Sequence, residues 1–368
     1  MRALARIDDG AITRNCTRLT EALGPAALCA VVKADGYGHG MVESARAAHA
    51  GGASLLAVAT ATEATALRDA EIDGVLVMGA LSPAELVEAA AARAEVVVWD
   101  LDYLPTIARV ARQSGTRIGV HVKFDSGMGR LGARDPMVVH ELAERISGDA
   151  HLSLAGAMTH FATADERGDD HFPTQLRRFT EVVEQLKQTY PALIAHAANS
   201  AAVLRDPASH FDMARCGVAI YGLDPFGVDP ALVGLEPALR LSSYVAAVKA
   251  LDSGDSVGYG RTWIAEAPTS IAVLPIGYGD GVRRGLSDNG EVLIGGRRYP
   301  LVGTVSMDNV TVDLGPEPVV AAGEEAVLIG AQGSERILCE MLAKRLDTIN
   351  YEVTCGVGVR VPREHLSA

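Results

Sequence analysis

The sequence is poor in cysteine and aromatic residues and lacks any long hydrophobic run, and these absences exclude several classes of protein. The cysteines show no C-x-x-C pair and no zinc-site spacing; they are Cys16, Cys29, Cys216, Cys339 and Cys355. An odd, scattered set is typical of reduced thiols in a cytosolic protein. No apolar run approaches the ~20 residues of a membrane span, and the first residues lack the apolar core of a signal peptide. We therefore expect a soluble cytoplasmic protein with neither a membrane partner nor a bound metal.

Positive charge is also scarce. The chain has 33 Lys and Arg residues against 46 Asp and Glu residues, a formal net charge of -13. Such an acidic chain is not expected to bind nucleic acid or anionic membranes, and an anionic ligand would need a local basic site. Hydrophobic residues make up 48% and charged residues 21%, as in ordinary globular enzymes. A length of 368 residues exceeds what one hydrophobic core usually supports, which favours two domains.

Short apolar runs alternate with longer amphipathic stretches over the first two-thirds of the chain. Between two of the runs, the segment from Pro83 to Ala92 has Ser82 as an N-cap and proline at the first helical position. Alternating strands and helices of this kind predict a parallel sheet covered by helices, and eight strands fit a (β/α)₈ barrel. An open doubly wound sheet is the alternative, but no G-x-G-x-x-G follows the first strand. The eight runs are 26–33, 55–59, 75–79, 95–99, 118–124, 154–161, 193–200 and 214–222.

The character of the sequence changes after about Leu232. The remaining segments are rich in Val and Gly, alternate in polarity and carry turn signals at short intervals, which predicts a mainly β domain. Pro225, Pro230 and Pro237 suit a connection between the two parts. We therefore predict an N-terminal barrel over residues 1–232 and a β-rich C-terminal domain over 233–368.

Polar residues cluster where the predicted barrel strands end. In such barrels the chemistry lies at the C-terminal ends of the strands, and phosphate groups often bind in the loops after strands seven and eight. A lysine in this position is uncommon because burying an ammonium group is costly. The residues at these ends are Lys33, Lys123, His160, Asn199, Ser200, Arg215 and Gly217.

A strand-end lysine opposite a phosphate pocket is the arrangement that pyridoxal phosphate needs for a covalent bond to the protein. Ser200 offers a hydroxyl to such a phosphate, and Gly217 allows a close approach of the backbone. Lysine aldolases built on barrels share this layout. The spacing of residues alone therefore leaves both kinds of enzyme open.

The motif AVVKADGYGHG at residues 30–40 resembles the cofactor-lysine signature of alanine racemases, a fold-type III pyridoxal-phosphate family. Further similar motifs follow in the order of that family: KFDSGMGRLG, MTHFATADE, HAANSAA, ARCGVAIYG, GYGRTW, IGYGDGVRR, VSMDN and INYE. The resemblance spans nearly the whole chain. It implies interconversion of L-alanine and D-alanine by a cytoplasmic isomerase for D-alanine and peptidoglycan-precursor synthesis. It also implies a homodimer in which each active site takes residues from the partner's β-rich domain.

The resemblance assigns a role to each matching residue. Lys33 is implied to bind the cofactor and to act as the base facing D-alanine, and Tyr259 of the partner subunit as the base facing L-alanine. Arg215 is implied to contact the pyridine nitrogen, with His196 orienting it and His160 assisting the tyrosine. The implied phosphate-binding residues are Tyr37, Ser200, Gly217, Val218 and Tyr351.

Other matching residues are implied to bind or support the substrate. Arg130 and Met307 are implied to contact its carboxylate, with Asp308 in support. Lys123 coincides with a lysine that is carbamylated in several members of the family. The implied entrance layer consists of Asp165 and Arg284 outside Tyr259 and Tyr351.

Three other functions compete with this interpretation. A serine or broader-specificity racemase would use the same scaffold, because a pocket discriminates one extra atom by only a few kcal/mol. A fold-type III decarboxylase usually places an acid, not an arginine, at the ring nitrogen. A single-domain barrel that carries pyridoxal phosphate would lack the β-rich segment with Tyr259 and Met307.

Overall fold

A computed structural model describes residues 1–366. Within it the chain forms two compact units. One unit runs from Ile12 to Ile220, and the other joins Met1–Ala11 to the chain from Tyr221 onward. The sequence predicts a division at 232/233, whereas the two compact units meet between Ile220 and Tyr221.

The first unit is a closed barrel of eight parallel strands in which β2 pairs with both β3 and β9. The predicted (β/α)₈ barrel is therefore confirmed. Its strands are β2 (Ala27–Val31), β3 (Ala53–Val58), β4 (Val75–Val77), β5 (Glu95–Val98), β6 (Ile118–Lys123), β7 (Leu152–Met158), β8 (Ile194–His196) and β9 (Met213–Cys216). The helices in this part of the chain are α1 (Asp9–Leu23), α2 (Lys33–Tyr37), α3 (Met41–Ala50), α4 (Ala61–Asp69), α5 (Pro83–Ala91), α6 (Leu104–Ser114), α7 (Pro136–Gly148), α8 (His171–Thr189) and α9 (Ser200–Arg205).

Local sequence signals determine where the barrel helices begin. Helix α5 starts with a capping box: the Ser82 side chain accepts from the Glu85 amide, and the Glu85 side chain accepts from the Ser82 amide. Pro83 occupies the first helical position, where its missing N–H costs nothing. The predicted N-cap and proline are thus confirmed. A capping box with Thr60 and Glu63 starts α4 in the same way.

The second unit is mainly β, as predicted. One sheet has the order β16-β15-β18-β10-β1-β20, with β19 paired to β18; a second has the order β11-β14-β17, and β12 pairs with β13. Its strands are β1 (Leu4–Asp8), β10 (Leu239–Tyr244), β11 (Ala247–Leu251), β12 (Ser256–Val257), β13 (Trp263–Ile264), β14 (Thr269–Leu274), β15 (Glu291–Ile294), β16 (Arg297–Pro300), β17 (Val310–Gly315), β18 (Glu325–Gln332), β19 (Glu335–Ile337) and β20 (Arg363–Leu366). Its helices are α10 (Cys339–Leu346) and α11 (Asn350–Cys355).

The first strand belongs to this β-rich unit. Strand β1 pairs antiparallel with β10 and parallel with β20, so that Ala5 lies opposite both Leu241 and Arg363. The barrel is therefore inserted between the first strand of the β-rich unit and the rest of it. Within residues 1–366, no helix combines the length and the apolar character needed to cross a bilayer.

Candidate active site

Lys33 lies at the start of a left-handed turn directly after β2. Ala34, Asp35, Gly36 and Tyr37 all have φ between +52° and +60°. Only glycine adopts this conformation without cost; for other residues it costs roughly 1–2 kcal/mol each. The Glu63 carboxylate accepts from the Ala34 amide at 2.7 Å and helps to hold the turn. Strained backbone of this kind is concentrated at functional sites, which makes the position of Lys33 a candidate for one.

A cluster of neutral donors and acceptors surrounds Gly217 after β9. The Ser200 hydroxyl oxygen accepts from the amides of Gly217 at 3.1 Å and Ala219 at 3.3 Å. A Cβ at position 217 would lie 2.4 Å from the Tyr37 hydroxyl, so the backbone and the phenol approach as closely as glycine permits. Val218 follows Gly217 and is buried. The barrel thus brings Tyr37 and Ser200 close to Gly217, which precedes Val218 in the chain.

Arg215 is almost fully buried, with 3% of its surface exposed. Its Nη1 donates to the His196 carbonyl at 2.9 Å and to His196 Nδ1 at 3.0 Å. Its Nη2 donates to the carbonyls of Thr159 at 2.7 Å and Ala197 at 3.1 Å, and to His160 Nδ1 at 3.2 Å. Guanidinium groups have five N–H donors, and these bonds engage the four terminal ones. Among residues 1–366 no acceptor faces the Nε–H of Arg215, which leaves it available to a ligand.

Positive charge is concentrated at this end of the barrel. Burial, followed by the charges of Arg215 and Arg130, lowers the pKa of Lys123 to about 8. Burial and the same two arginines, with Lys123 and Lys33, hold the pKa of His160 well below its ordinary value. Burial also lowers the pKa of Arg215, to about 10, so its guanidinium stays charged at neutral pH. The site therefore combines several cations with a neutral histidine and suits an anionic ligand.

The loop that carries Arg130 is built on Asp125. The Asp125 carboxylate accepts from the amides of Gly127 at 3.1 Å, Met128 at 2.7 Å and Gly129 at 3.0 Å. Three such bonds to one buried carboxylate fix a tight turn. Arg130 follows this turn directly, and its charge acts on both Lys123 and His160.

The remaining predicted residues lie on the β-rich unit, except for Asp165, which lies on the barrel unit. Tyr259 is 75% exposed and Met307 is 51% exposed, which is unusual for such large side chains. Tyr351 lies in α11 and is partly buried, and Arg284 is exposed.

Asp280 holds the Met307 segment in place. Asp280 is fully buried and pairs with Arg2 and with Arg360, whose Nε lies 2.8 Å from Oδ1. Arg360 Nη2 in turn donates to the Met307 carbonyl at 3.1 Å and to Asp308 Oδ1 at 2.8 Å. The predicted pair of Met307 and Asp308 is thus tied to a buried carboxylate that the sequence analysis does not single out.

Two further polar residues of the barrel strands are absent from the predicted site. His121, on β6, is 2% exposed, and its Nδ1 lies 2.8 Å from Nε2 of His196. Its Nε2 lies 2.7 Å from a carboxylate oxygen of Glu95 at the start of β5. A histidine between Val120 and Val122 in an apolar strand was the available sequence signal. Among the described residues 1–366, no group of three or more His, Cys, Asp or Glu side chains is arranged to hold a metal ion.

Comparison with known families agrees with this architecture. Residues 7–225 match the model of the alanine racemase N-terminal domain, and residues 238–365 match that of the alanine racemase C-terminal domain. The alanine racemase of Geobacillus stearothermophilus is 43% identical over 365 residues, covering 98% of this chain and 92% of that protein. The alanine racemase of Symbiobacterium thermophilum is 40% identical over 362 residues, covering 98% and 96%.

Solved structures give the same result. The alanine racemase from D-cycloserine-producing Streptomyces lavendulae superposes with a TM-score of 0.94 at 34% identity, covering 100% of this chain and 98% of that one. The Bacillus anthracis alanine racemase with bound L-Ala-P superposes with a TM-score of 0.91 at 37% identity, covering 99% and 95%. Both domain models match in order, and the two relatives are 40% and 43% identical over nearly the whole chain. The chain belongs to the alanine racemase family.

Proposed function

We propose that this protein interconverts L-alanine and D-alanine with pyridoxal phosphate as its cofactor. The observation that carries the proposal is the Arg215 guanidinium, whose terminal N–H groups are all engaged while its Nε–H stays available. A donor-only group of this kind suits an unprotonated pyridine nitrogen. This chain is similar to relatives that are all named alanine racemases, and this similarity supports alanine rather than serine as the substrate.

The barrel residues fit the phosphate and ring of this cofactor. Tyr37 and Ser200 offer neutral hydroxyl donors to a phosphate dianion, and Gly217 allows a close approach to the backbone where a Cβ would already collide with the tyrosine. We assign phosphate binding to Tyr37, Ser200, Gly217 and Val218, and also to Tyr351 of the β-rich unit. Lys33, presented by its left-handed turn, would hold the cofactor covalently. When bound, pyridoxal phosphate supplies an electron sink that acidifies the Cα–H of the attached amino acid.

Racemisation requires a proton to leave one face of Cα and another to arrive at the opposite face. We assign Lys33 to one face and Tyr259 of the partner subunit to the other. An ordinary tyrosine has a pKa of ~10 and is a poor base near neutral pH, so it needs a neighbouring donor. Neutral His160 accepts from Arg215 at Nδ1, so its proton lies on Nε2 and can serve as that donor.

The substrate carboxylate is assigned to Arg130 and to the backbone at Met307. Arg130 is placed by the turn around Asp125, and Met307 by Arg360 and Asp280. The lowered pKa of Lys123 leaves part of its amine neutral near pH 7, and a neutral amine reacts with carbon dioxide. We propose that Lys123 is carbamylated. The ammonium group first loses one proton to water, the neutral amine then attacks carbon dioxide so that an N–C bond forms as one C=O π bond opens, and a second proton is released to water. A cation thereby becomes an anion beside two arginines.

The exposure of Tyr259 and Met307 supports a homodimer in which each site uses the partner's β-rich unit. Large exposed side chains on one unit are typical of surfaces that bind another chain. Asp165 and Arg284, both exposed, are assigned to the entrance of the site.

The experiment that tests this proposal mixes two inactive variants, Lys33→Ala and Tyr259→Phe. In a heterodimer one site contains both mutations and the other contains none, so alanine racemisation should recover to about a quarter of the wild-type rate after random subunit exchange. Each variant alone is the control. No recovery after confirmed exchange would contradict the shared site, and racemisation of serine in preference to alanine by the wild type would contradict the substrate.

A further inference from the structure

A line of four hydrogen-bonded side chains crosses the interior of the barrel. Glu95 lies at the start of β5, His121 within β6, His196 at the end of β8 and Arg215 on β9. The successive distances are 2.7 Å from Glu95 Oε2 to His121 Nε2, 2.8 Å from His121 Nδ1 to His196 Nε2, and 3.0 Å from His196 Nδ1 to Arg215 Nη1. The line thus connects the predicted cofactor site with the opposite, N-terminal end of the strands.

The chemistry of arginine fixes the direction of every bond in this line. A guanidinium only donates, so His196 Nδ1 must accept and its proton must lie on Nε2. That Nε2–H then donates to His121 Nδ1, which places the proton of His121 on its own Nε2. The Nε2–H of His121 donates to the Glu95 carboxylate. Both histidines are therefore neutral Nε2–H tautomers, and a second proton on either would break one of the bonds.

Two glycines of the neighbouring strands leave space for the side chains of this line. A Cβ at Gly156 of β7 would lie 2.4 Å from His121 Nδ1, and a Cβ at Gly119 of β6 would lie 2.9 Å from the Glu95 Cγ. Both glycines have ordinary negative or extended φ values, so a left-handed backbone is not the reason for them. Glycine is needed at these positions because any larger residue would occupy the space of the His121 and Glu95 side chains.

The line also links the buried positive charge of Arg215 to the negative charge of Glu95. The bonded partners of the buried Arg215 are three carbonyl oxygens and two imidazole nitrogens, and the carboxylate that this network reaches is Glu95. Hydrogen bonds in series polarise one another in a low-dielectric interior. Burial, the adjacent His121 ring and the charges of Arg215 and Lys123 also hold the pKa of His196 low, which keeps it neutral. Cys29 on β2 lies within reach of the charges of both Glu95 and Arg215.

We propose that Glu95 and His121 are positioning residues that act through His196 to fix the orientation of Arg215 and support its charge, so that its Nε–H is presented to the ring nitrogen. The inference rests on the proposed cofactor site, but the tautomers and the role of the Glu95 charge can be tested without it. None of these residues touches substrate; the effect passes from the carboxylate through two imidazoles to the guanidinium.

The first test is nuclear magnetic resonance of the full chain labelled with ¹⁵N-histidine, measured without added cofactor. At pH 7 His121 and His196 should both show the tautomer with the proton on Nε2, as the directions of their hydrogen bonds require. Glu95→Gln keeps an acceptor but removes the charge, which weakens the hydrogen bond from His121. The chemical shift of the His121 Nε2 proton should therefore move upfield, and that of the His196 Nε2 proton should move in the same direction by less. Glu144→Gln, at an exposed position of α7, is the matched control and should move neither. An Nδ1–H tautomer of either histidine at pH 7 would overturn the proposal.

The second test uses the enzyme loaded with pyridoxal phosphate. Glu95→Gln should lower kcat for alanine by about tenfold, the effect of weakening one charge-assisted hydrogen bond, and change KM by less than about twofold. Glu95→Asp, which restores the charge, should recover part of kcat, and Glu144→Gln should match the wild type. An unchanged kcat in Glu95→Gln would refute the catalytic role of the line. A wild-type protein that racemises no alanine would instead refute the proposed function and leave the tautomer result standing.

Discussion

Replacement of Lys123 by methionine should stabilise the protein at neutral pH when carbon dioxide is absent. Lys123 is 6% exposed, and burial with the charges of Arg215 and Arg130 lowers its pKa from 10.5 to about 8. Each pH unit between these values corresponds to ~1.4 kcal/mol, so the buried ammonium costs ~3 kcal/mol at pH 7. Methionine has a similar length and no charge, and Lys123→Met should therefore gain about that amount of unfolding free energy.

The sign of the pH dependence follows from proton linkage. Between pH 8 and pH 10.5 the unfolded chain holds a proton on Lys123 that the folded chain has lost. Raising the pH therefore favours the folded wild type, and the advantage of Lys123→Met should shrink across this window. Below pH 8 both states are protonated and the full advantage should persist. Lys249→Met, at an exposed position of β11, is the control and should stay within about 0.5 kcal/mol of wild type at every pH.

The assay is denaturant unfolding in carbon-dioxide-free buffer at several pH values between 7 and 10, followed by addition of bicarbonate. Carbamylation should stabilise the wild type but not Lys123→Met, and ¹³C-bicarbonate should give a carbamate resonance only in the wild type. Equal stability of the two proteins at pH 7, or a difference that does not change with pH, would refute the reasoning about the buried ammonium. A missing carbamate resonance would refute the proposed modification alone.

Two further substitutions test the phosphate cluster and the support of the substrate loop. Gly217→Ala should lower the affinity for pyridoxal phosphate by at least about tenfold, measured by equilibrium titration, because the new Cβ would lie 2.4 Å from the Tyr37 hydroxyl. Gly148→Ala, where a Cβ meets nothing within 4 Å, should leave this affinity unchanged, and equal affinities in both variants would contradict the assignment. Asp280→Asn should lower the free energy of unfolding, since it removes the charge of a buried carboxylate that pairs with Arg2 and Arg360, and it should raise KM for alanine through the Met307 segment. An unchanged KM would show that this carboxylate supports only the fold.

Local sequence patterns were sufficient to predict the barrel and the polar residues at the C-terminal ends of its strands. Eight apolar runs gave the eight strands because buried parallel strands are apolar on both faces. Active sites of such barrels lie at the C-terminal ends of the strands, and this rule predicts Lys33, Lys123, His160 and Arg215 as site residues. The structure places the charges of Lys33, Lys123 and Arg215 within reach of His160.

The rest depends on contacts that a single sequence does not reveal. Glu95 and His121 meet because β5 and β6 pair with Val97 opposite His121, a register that hydrophobic patterning leaves open. Glu95 also lies at the N-terminal end of its strand, where the rule about strand ends predicts nothing. The left-handed turn at Ala34, Asp35 and Tyr37 was equally hidden, because residues other than glycine seldom adopt it.

The pairing of β1 has a consequence for the order in which the protein folds during synthesis. Ribosomes add about 5–20 residues per second and domains generally fold as units, so the barrel, complete at Ile220, can fold while translation continues. Strand β1 is made first, yet its partners β10 and β20 emerge only with residues 239–244 and 363–366. For several seconds an unpaired strand edge is exposed on a nascent chain whose barrel is already formed. Such an edge is a template for intermolecular pairing, so chaperone binding to residues 4–8 would protect the nascent chain during this interval.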